Sequence, residues 1–185
     1  MVGSAKEGMG MIASMIYVDE EHYDVKGDAY KRLIDYCFHY SAYFSFISPR
    51  DNLLYQTGKT KKLDEQLNDW KLKTIKTLQW PGNTICNRNI SLTNSYSRPA
   101  EYHIYRCTNG AKEIIKSASP SLFSWEDGLP EDLAFYYEDK RVFMYSVTHE
   151  GDCVLSCSKK VFSLFAELNY WKIESESEYI QDIYF

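Results

Sequence analysis

His149 and Glu150, followed two residues later by Asp152, put an imidazole and two carboxylates at one sharp reversal of the chain. Such a set can do general acid–base work or help to hold a cation. Adjacent strand residues point to opposite faces, so the pair cooperates only if the turn rotates both side chains together. Gly151 permits this, because glycine alone takes a left-handed backbone freely. A metal site needs more ligands, and His22, His39 and His103 lie far off in sequence, so no metal is assigned. The competing assignment is a structural turn, in which His149 or Glu150 bonds the turn amides.

A second cluster combines charge with aromatic rings. Lys59, Lys61, Lys62, Lys71, Lys73 and Lys76 surround Trp70 and Trp80. Lysines can meet phosphates while an indole stacks on a base; Arg88, Arg98 and Arg106 are further cations for such a ligand. A solvated helix or strand face explains the cluster equally well, and Asp64, Glu65 and Asp69 dilute it. Gly58-Lys59-Thr60 echoes the end of a phosphate loop but lacks the earlier glycine and the apolar strand. No G-x-S-x-G, H-E-x-x-H or paired C-x-x-C is present, so no catalytic residue and no cofactor is assigned. The candidate ligand- or partner-binding residues are His149, Glu150, Asp152, Arg106, Trp80 and Lys76.

The chain of 185 residues fits one domain able to bury roughly 70% of its unfolded surface. Residues 11–185 are read as that domain, and the small, Gly-rich residues 1–10 as an expression leader or a disordered N-terminus. Twenty-one basic residues stand against twenty-six acidic ones, a net charge of -5, which gives nucleic acid no general attraction. No run of about 18 apolar residues is long enough to span a bilayer. Five scattered cysteines, Cys37, Cys86, Cys107, Cys153 and Cys157, are expected to be reduced thiols of a cytosolic protein. Sixteen tyrosines against nine phenylalanines fit either an interface or a tyrosine-rich sheet. Fifteen lysines against six arginines, with abundant Ile, Asn and Tyr, point to an AT-rich bacterial or phage genome.

These residues must be positioned by elements that the periodicity outlines. Met11–Val18 is an apolar strand. Asp28 is expected to cap a helix to Tyr40, with Tyr30, Leu33, Ile34, Cys37 and Phe38 on its inner stripe. Ala42–Ile47 is a strand, Asp51–Lys62 a loop, and Leu63, Leu67 and Trp70 mark a short helix. Lys71–Trp80 is a strand closed by Pro81-Gly82, and Asn83–Pro99 a long loop. Glu101–Cys107 alternates as a strand, and Thr108 caps a helix to about Ala118. Leu133–Tyr137, Val142–Val147 and Cys153–Cys157 form an antiparallel meander. Ser158 caps a last helix to Leu168, before the acidic stretch Glu174–Glu178. The fold class is α+β: one mixed or antiparallel central sheet, with a C-terminal β-meander backed by three or four helices.

Several fragments carry a resemblance. They are Ile16-Tyr17-Val18-Asp19, Gly27-Asp28-Ala29-Tyr30, Tyr43-Phe44-Ser45-Phe46, Trp80-Pro81-Gly82 and Tyr105-Arg106-Cys107. To these add Leu129-Pro130-Glu131-Asp132-Leu133 with Thr148-His149-Glu150. Together they resemble a group of small uncharacterised proteins of low-GC, mostly spore-forming bacteria and their mobile elements, some labelled stage III sporulation protein AH. The resemblance implies a cytosolic bacterial or phage protein and carries no function. The expected function is a non-enzymatic binding protein, an immunity-type protein or an inhibitor of a host or toxin factor, with a protein partner. The alternative is a binding protein or hydrolase for a nucleotide or other small molecule, with an aromatic and basic pocket.

Overall fold

Residue alternation in the strands and 3.6-residue stripes in the helices produce two layers. The computed structural model describes residues 10–15, 24–48, 58–77, 100–126, 129–148, 151–166, 168 and 171–177. The strands are β1 (Gly10–Met15), β2 (Tyr43–Ser48), β3 (Lys71–Thr77), β4 (Ala100–Arg106), β5 (Glu131–Tyr136), β6 (Val142–Val147), β7 (Asp152–Cys157) and β8 (Trp171–Ser177). The helices are α1 (Gly27–Tyr40), α2 (Lys59–Leu67), α3 (Asn109–Ala118) and α4 (Lys159–Ala166). One sheet runs in the order β3-β4-β2-β5-β6-β7-β1-β8, and every described pair is antiparallel. The α+β class, the antiparallel sheet and the meander β5–β7 are therefore as expected. Among the described residues no helix is long and apolar enough to cross a membrane.

All four helices supply the cluster on one sheet face. Tyr30, Leu33, Ile34 and Cys37 of α1 pack there with Leu63 and Leu67, Ala111 and Ile115, and Phe162 and Phe165. The sheet answers with Phe44, Phe46, Tyr105, Leu133, Phe135, Phe143 and Leu155. Burying each such aromatic or aliphatic side chain stabilises the fold by roughly 1.5–3 kcal/mol. The opposite face holds Tyr43, Ala134, Tyr136, Val142, Tyr145 and Val147, a cluster to which none of the described helices contributes. There Ser45 Oγ bonds the hydroxyls of Tyr102 (2.9 Å) and Tyr136 (3.1 Å), which also bond each other. Strand β2 lies between β4 and β5 and is buried along its whole length, which is why it shows no polar face.

Several local expectations are corrected. Asp28 does not cap α1: the cap residue is Lys26, without a side-chain bond, and Asp28 lies in the first turn, paired with Lys31. A carboxylate there still faces the positive end of the helix dipole. Lys59–Lys62, read as loop, is the first turn of α2. The acidic stretch from Glu174, to which no element was assigned, enters a strand: residues 174–177 belong to β8, which pairs with β1. Gly10, read as leader, is the first residue of β1. By contrast Thr108 caps α3 as expected, accepting from Ala111 N at 3.2 Å.

Candidate functional site

The predicted binding residues do not converge. His149, Glu150 and Trp80 lie outside the described residues, as do Cys86, Arg88 and Arg98. Asp152 is exposed at the start of β7, opposite Val147. Lys76 stands opposite Glu101 at one end of β4, whereas Arg106 ends that strand, its guanidinium 5.5 Å from the Tyr43 ring centre. Five steps along the strand separate Glu101 from Arg106, roughly 17 Å. Lys76 and Asp152 share one end of the sheet, but five strand-to-strand steps, roughly 24 Å, divide β3 from β7.

The expected reversal after β6 is present. Gly151 has φ +69° and its N–H donates to Thr148 O at 3.2 Å. Beside it is a buried residue that sequence reading missed. Asp132 takes a left-handed backbone (φ 56°), its Oδ1 accepts from Thr148 N at 2.8 Å, and its own N–H donates to Thr148 Oγ1 at 3.2 Å. This reciprocal pair ties the start of β5 to the end of β6. Asp tolerates such a backbone better than most residues, so Pro130-Glu131-Asp132 carried a weak signal.

The richest titratable cluster lies elsewhere, where α2 runs through the 3-10 turn Asn68–Trp70 into β3. Lys71 Nζ donates to Asp64 Oδ1 and Oδ2 at 2.8 and 3.0 Å, and Tyr105 OH to Oδ1 at 2.5 Å. His103 Nδ1 is 3.8 Å from Asp64 Oδ1 and 3.2 Å from Thr74 Oγ1, and its Nε2 is 4.0 Å from Glu101 Oε2. Burial opposes the Asp64 carboxylate, but the bonds from Lys71 and Tyr105 and the Lys71 charge outweigh it and hold the carboxyl below its usual range. Burial, reinforced by Lys71, lowers the His103 imidazole to about 4 against the pull of Asp64 and Glu101. His103 is therefore neutral at pH 7. A base that weak takes few protons from Thr74, so the cluster serves to fasten β3 to α2 and β4.

Other groups offer little reactivity. Burial drives the Cys37 and Cys107 thiols far up and the Cys157 thiol up to about 12, which denies them thiolate character. Among the described residues no three His, Cys, Asp or Glu side chains are placed to hold a metal. The lysine cluster is partly neutralised, with Lys71 on Asp64, Lys61 4.0 Å from Glu65 and Lys76 3.9 Å from Glu101. Trp70 packs over the start of α3 at Gly110 and is half-buried. Of the nine described tyrosines, Tyr30, Tyr43, Tyr102, Tyr105, Tyr136 and Tyr145 are buried and Tyr36, Tyr40 and Tyr137 are half-buried against the core.

Two surface features remain. β3 is an edge strand among the described residues, and its Leu72, 45% accessible, is the exposed large hydrophobic side chain. Lys73, Thr74 and Lys76 beside it are exposed too. A cleft of about 510 Å³ lies between α1 and the start of α3, lined by Asp35, Phe38, His39, Cys107, Asn109 and Lys112. Asp35 there holds Lys116 at 2.9 Å and Lys112 at 3.5 Å. No family model, no curated protein and no solved structure matches the chain.

Proposed function

We propose that the protein is a non-enzymatic binding protein of a bacterium or phage, acting in the cytosol as an immunity-type protein or as an inhibitor of a host or toxin factor. Its partner is a protein that docks on β3. The observation that carries this reading is Leu72, an apolar side chain held in water on a sheet edge. A sheet edge offers main-chain donors and acceptors to an incoming strand, and an apolar anchor adds affinity. The Asp64–Lys71–Tyr105–His103 set beneath β3 keeps that edge in place before binding, which lowers the ordering entropy that association costs.

The test is affinity capture from the native host with the wild type and Leu72→Asp in parallel. The wild type should recover a protein in stoichiometric amount, and Leu72→Asp should lose it with an unchanged melting temperature. Equal recovery by both would remove β3 from the reading, and no recovery by either would remove the reading itself.

The cleft between α1 and α3 favours a second reading, a nucleotide or other small molecule as ligand. Its volume falls within the roughly 300–1,000 Å³ of small-molecule sites, and Lys112, His39 and Asn109 offer polar contacts. Denaturing the purified protein and finding a small molecule in the supernatant by mass spectrometry would support this reading, and an empty supernatant would count against it.

A further inference from the structure

The register of β3 against β4 breaks at one place, and the exposed hydrophobic side chain stands there. Lys71 lies opposite Tyr105 and Lys73 opposite Ile104, so Leu72 is an extra residue with no counterpart on β4. From Thr74 to Thr77 the pairing is regular. A bulge on an edge strand ends the ladder and re-aims the side chain that it carries. The regular edge that an incoming strand can pair with is therefore Thr74–Thr77, and Leu72, 45% accessible, stands in water beyond its end.

The charge beside this edge has one sign. Lys71 is engaged by Asp64 and Lys73 has a contact of its own, so the cation that bears on an incoming strand is Lys76. Its side chain is 62% accessible and only loosely paired with Glu101 at 3.9 Å. Helix α2, which the Asp64–Lys71 bond ties to β3, adds exposed Lys59 and Lys62. Between Lys59 and Lys76 six lysines stand against Asp64, Glu65 and Asp69, in a chain whose net charge is -5. Trp70, the described tryptophan among these lysines, packs over Gly110 of α3, so its ring is not offered to a nucleic-acid base.

We infer that the segment a partner lays on Thr74–Thr77 is a short, acidic, extended strand, with a carboxylate beside Lys76 and an apolar contact for Leu72. The inference rests on the reading of β3 as the docking edge and adds the chemistry of what docks there. Neighbours of opposite charge stabilise a ladder, whereas an edge lysine repels a basic strand. An incoming acid beside Lys76 lies one strand spacing, about 4.8 Å, from that residue and two spacings, about 9.6 Å, from Glu101. The longer distance exceeds the Debye length of about 8 Å at physiological salt, so Glu101 repels the acid less than Lys76 attracts it. The α2 lysines add a field that steers an acidic segment toward this edge. A ladder of this length holds weakly by itself, so the Leu72 contact decides how long the segment stays.

Amide chemical shifts of the full chain, followed by NMR, test this with three probes at millimolar concentration: a capped peptide of alternating glutamate and valine, its lysine counterpart, and oligothymidylate. The glutamate peptide should shift the amides of Leu72–Thr77, and the lysine peptide should not. Lys76→Gln removes one exposed ion pair without adding charge beside Glu101, so it should weaken the glutamate peptide about two- to fivefold at an unchanged melting temperature. Leu72→Ser should weaken it as well. The inference is overturned if the glutamate peptide leaves β3 unshifted, if the lysine peptide binds as well, or if Lys76→Gln binds like the wild type. Oligothymidylate that shifts the same amides as strongly also overturns it, since charge alone would then explain the edge. Capture of a host protein that is lost in Leu72→Asp, with peptides that bind alike, would keep the docking edge and reject its acidic partner. Peptides that discriminate, with capture indifferent to Leu72→Asp, would do the reverse.

Discussion

Replacing His103 by Asn should flatten the acid limb of the stability curve. His103 is 5% accessible and is surrounded by Asp64 of α2, Lys71 and Thr74 of β3, Glu101 of β4, and Phe46 of β2. The unfolded chain takes up the imidazole proton near 6.5, while the folded protein resists it down to about 4. Between those values the unfolded state holds one more proton, so stability rises with pH across the window and is complete above 6.5. At about 1.4 kcal/mol per pH unit the interval corresponds to about 3 kcal/mol. Asn places an amide near the Nδ1 position but cannot titrate, so any cavity it leaves costs the same at every pH. Urea unfolding at pH 7 and pH 4.5 checks this. The wild type should lose about 2–3 kcal/mol more than the variant on acidification. Parallel losses would mean that His103 titrates as it does in water and that its burial has no energetic consequence.

Tyr105→Phe should cost about 1.5–3 kcal/mol in urea unfolding, since it removes a hydrogen bond to an ionised carboxylate, and it should raise the Asp64 pKa as followed by NMR. Gly110→Ala adds helix propensity worth about 1 kcal/mol, but its Cβ would lie 2.6 Å from Trp70 Cζ2. The overpacking, about 1–3 kcal/mol, should win, so the melting temperature should fall, and Trp70→Ala in the same chain should relieve part of the loss. Asp132→Ala should cost about 2 kcal/mol or more, because Thr148 N loses its acceptor and Ala is strained at φ 56°. Asp132→Asn should cost less than half of that, since Asn can still accept from Thr148 N and tolerates the left-handed backbone; denaturant titrations of the two variants compare them.

What could be read from the sequence was what local pattern encodes. The meander β5–β7 followed from β-branched and aromatic runs broken by the Glu138–Arg141 turn and by Gly151. The inner stripes of α1 and α3 and the Thr108 cap were equally local. Lys59–Lys62 was misread because its inward residue is Thr60, a polar residue buried beside Leu63 and Leu67. β8 was not read as a strand because Glu174 and Glu176 gave it the composition of a polar segment, and its register against β1 shifts between Ile12 and Ala13. The β1 pairings with β7 and β8 join residues 140 or more positions apart, which no window along the chain reveals. The Asp64–His103–Tyr105 set was invisible for the same reason, since 39 and 41 positions separate its histidine and tyrosine from Asp64, and only the β3–β4 register brings them together.

The central claim is that a protein partner occupies the edge of β3. Amide hydrogen exchange along Lys71–Thr77, measured on the free protein and on the complex recovered by affinity capture, tests it most directly. Exchange in β3 should slow in the complex, while α3, on the sheet's helical face, should keep its free-state rates. Unchanged exchange in β3, with protection appearing elsewhere, would contradict the account.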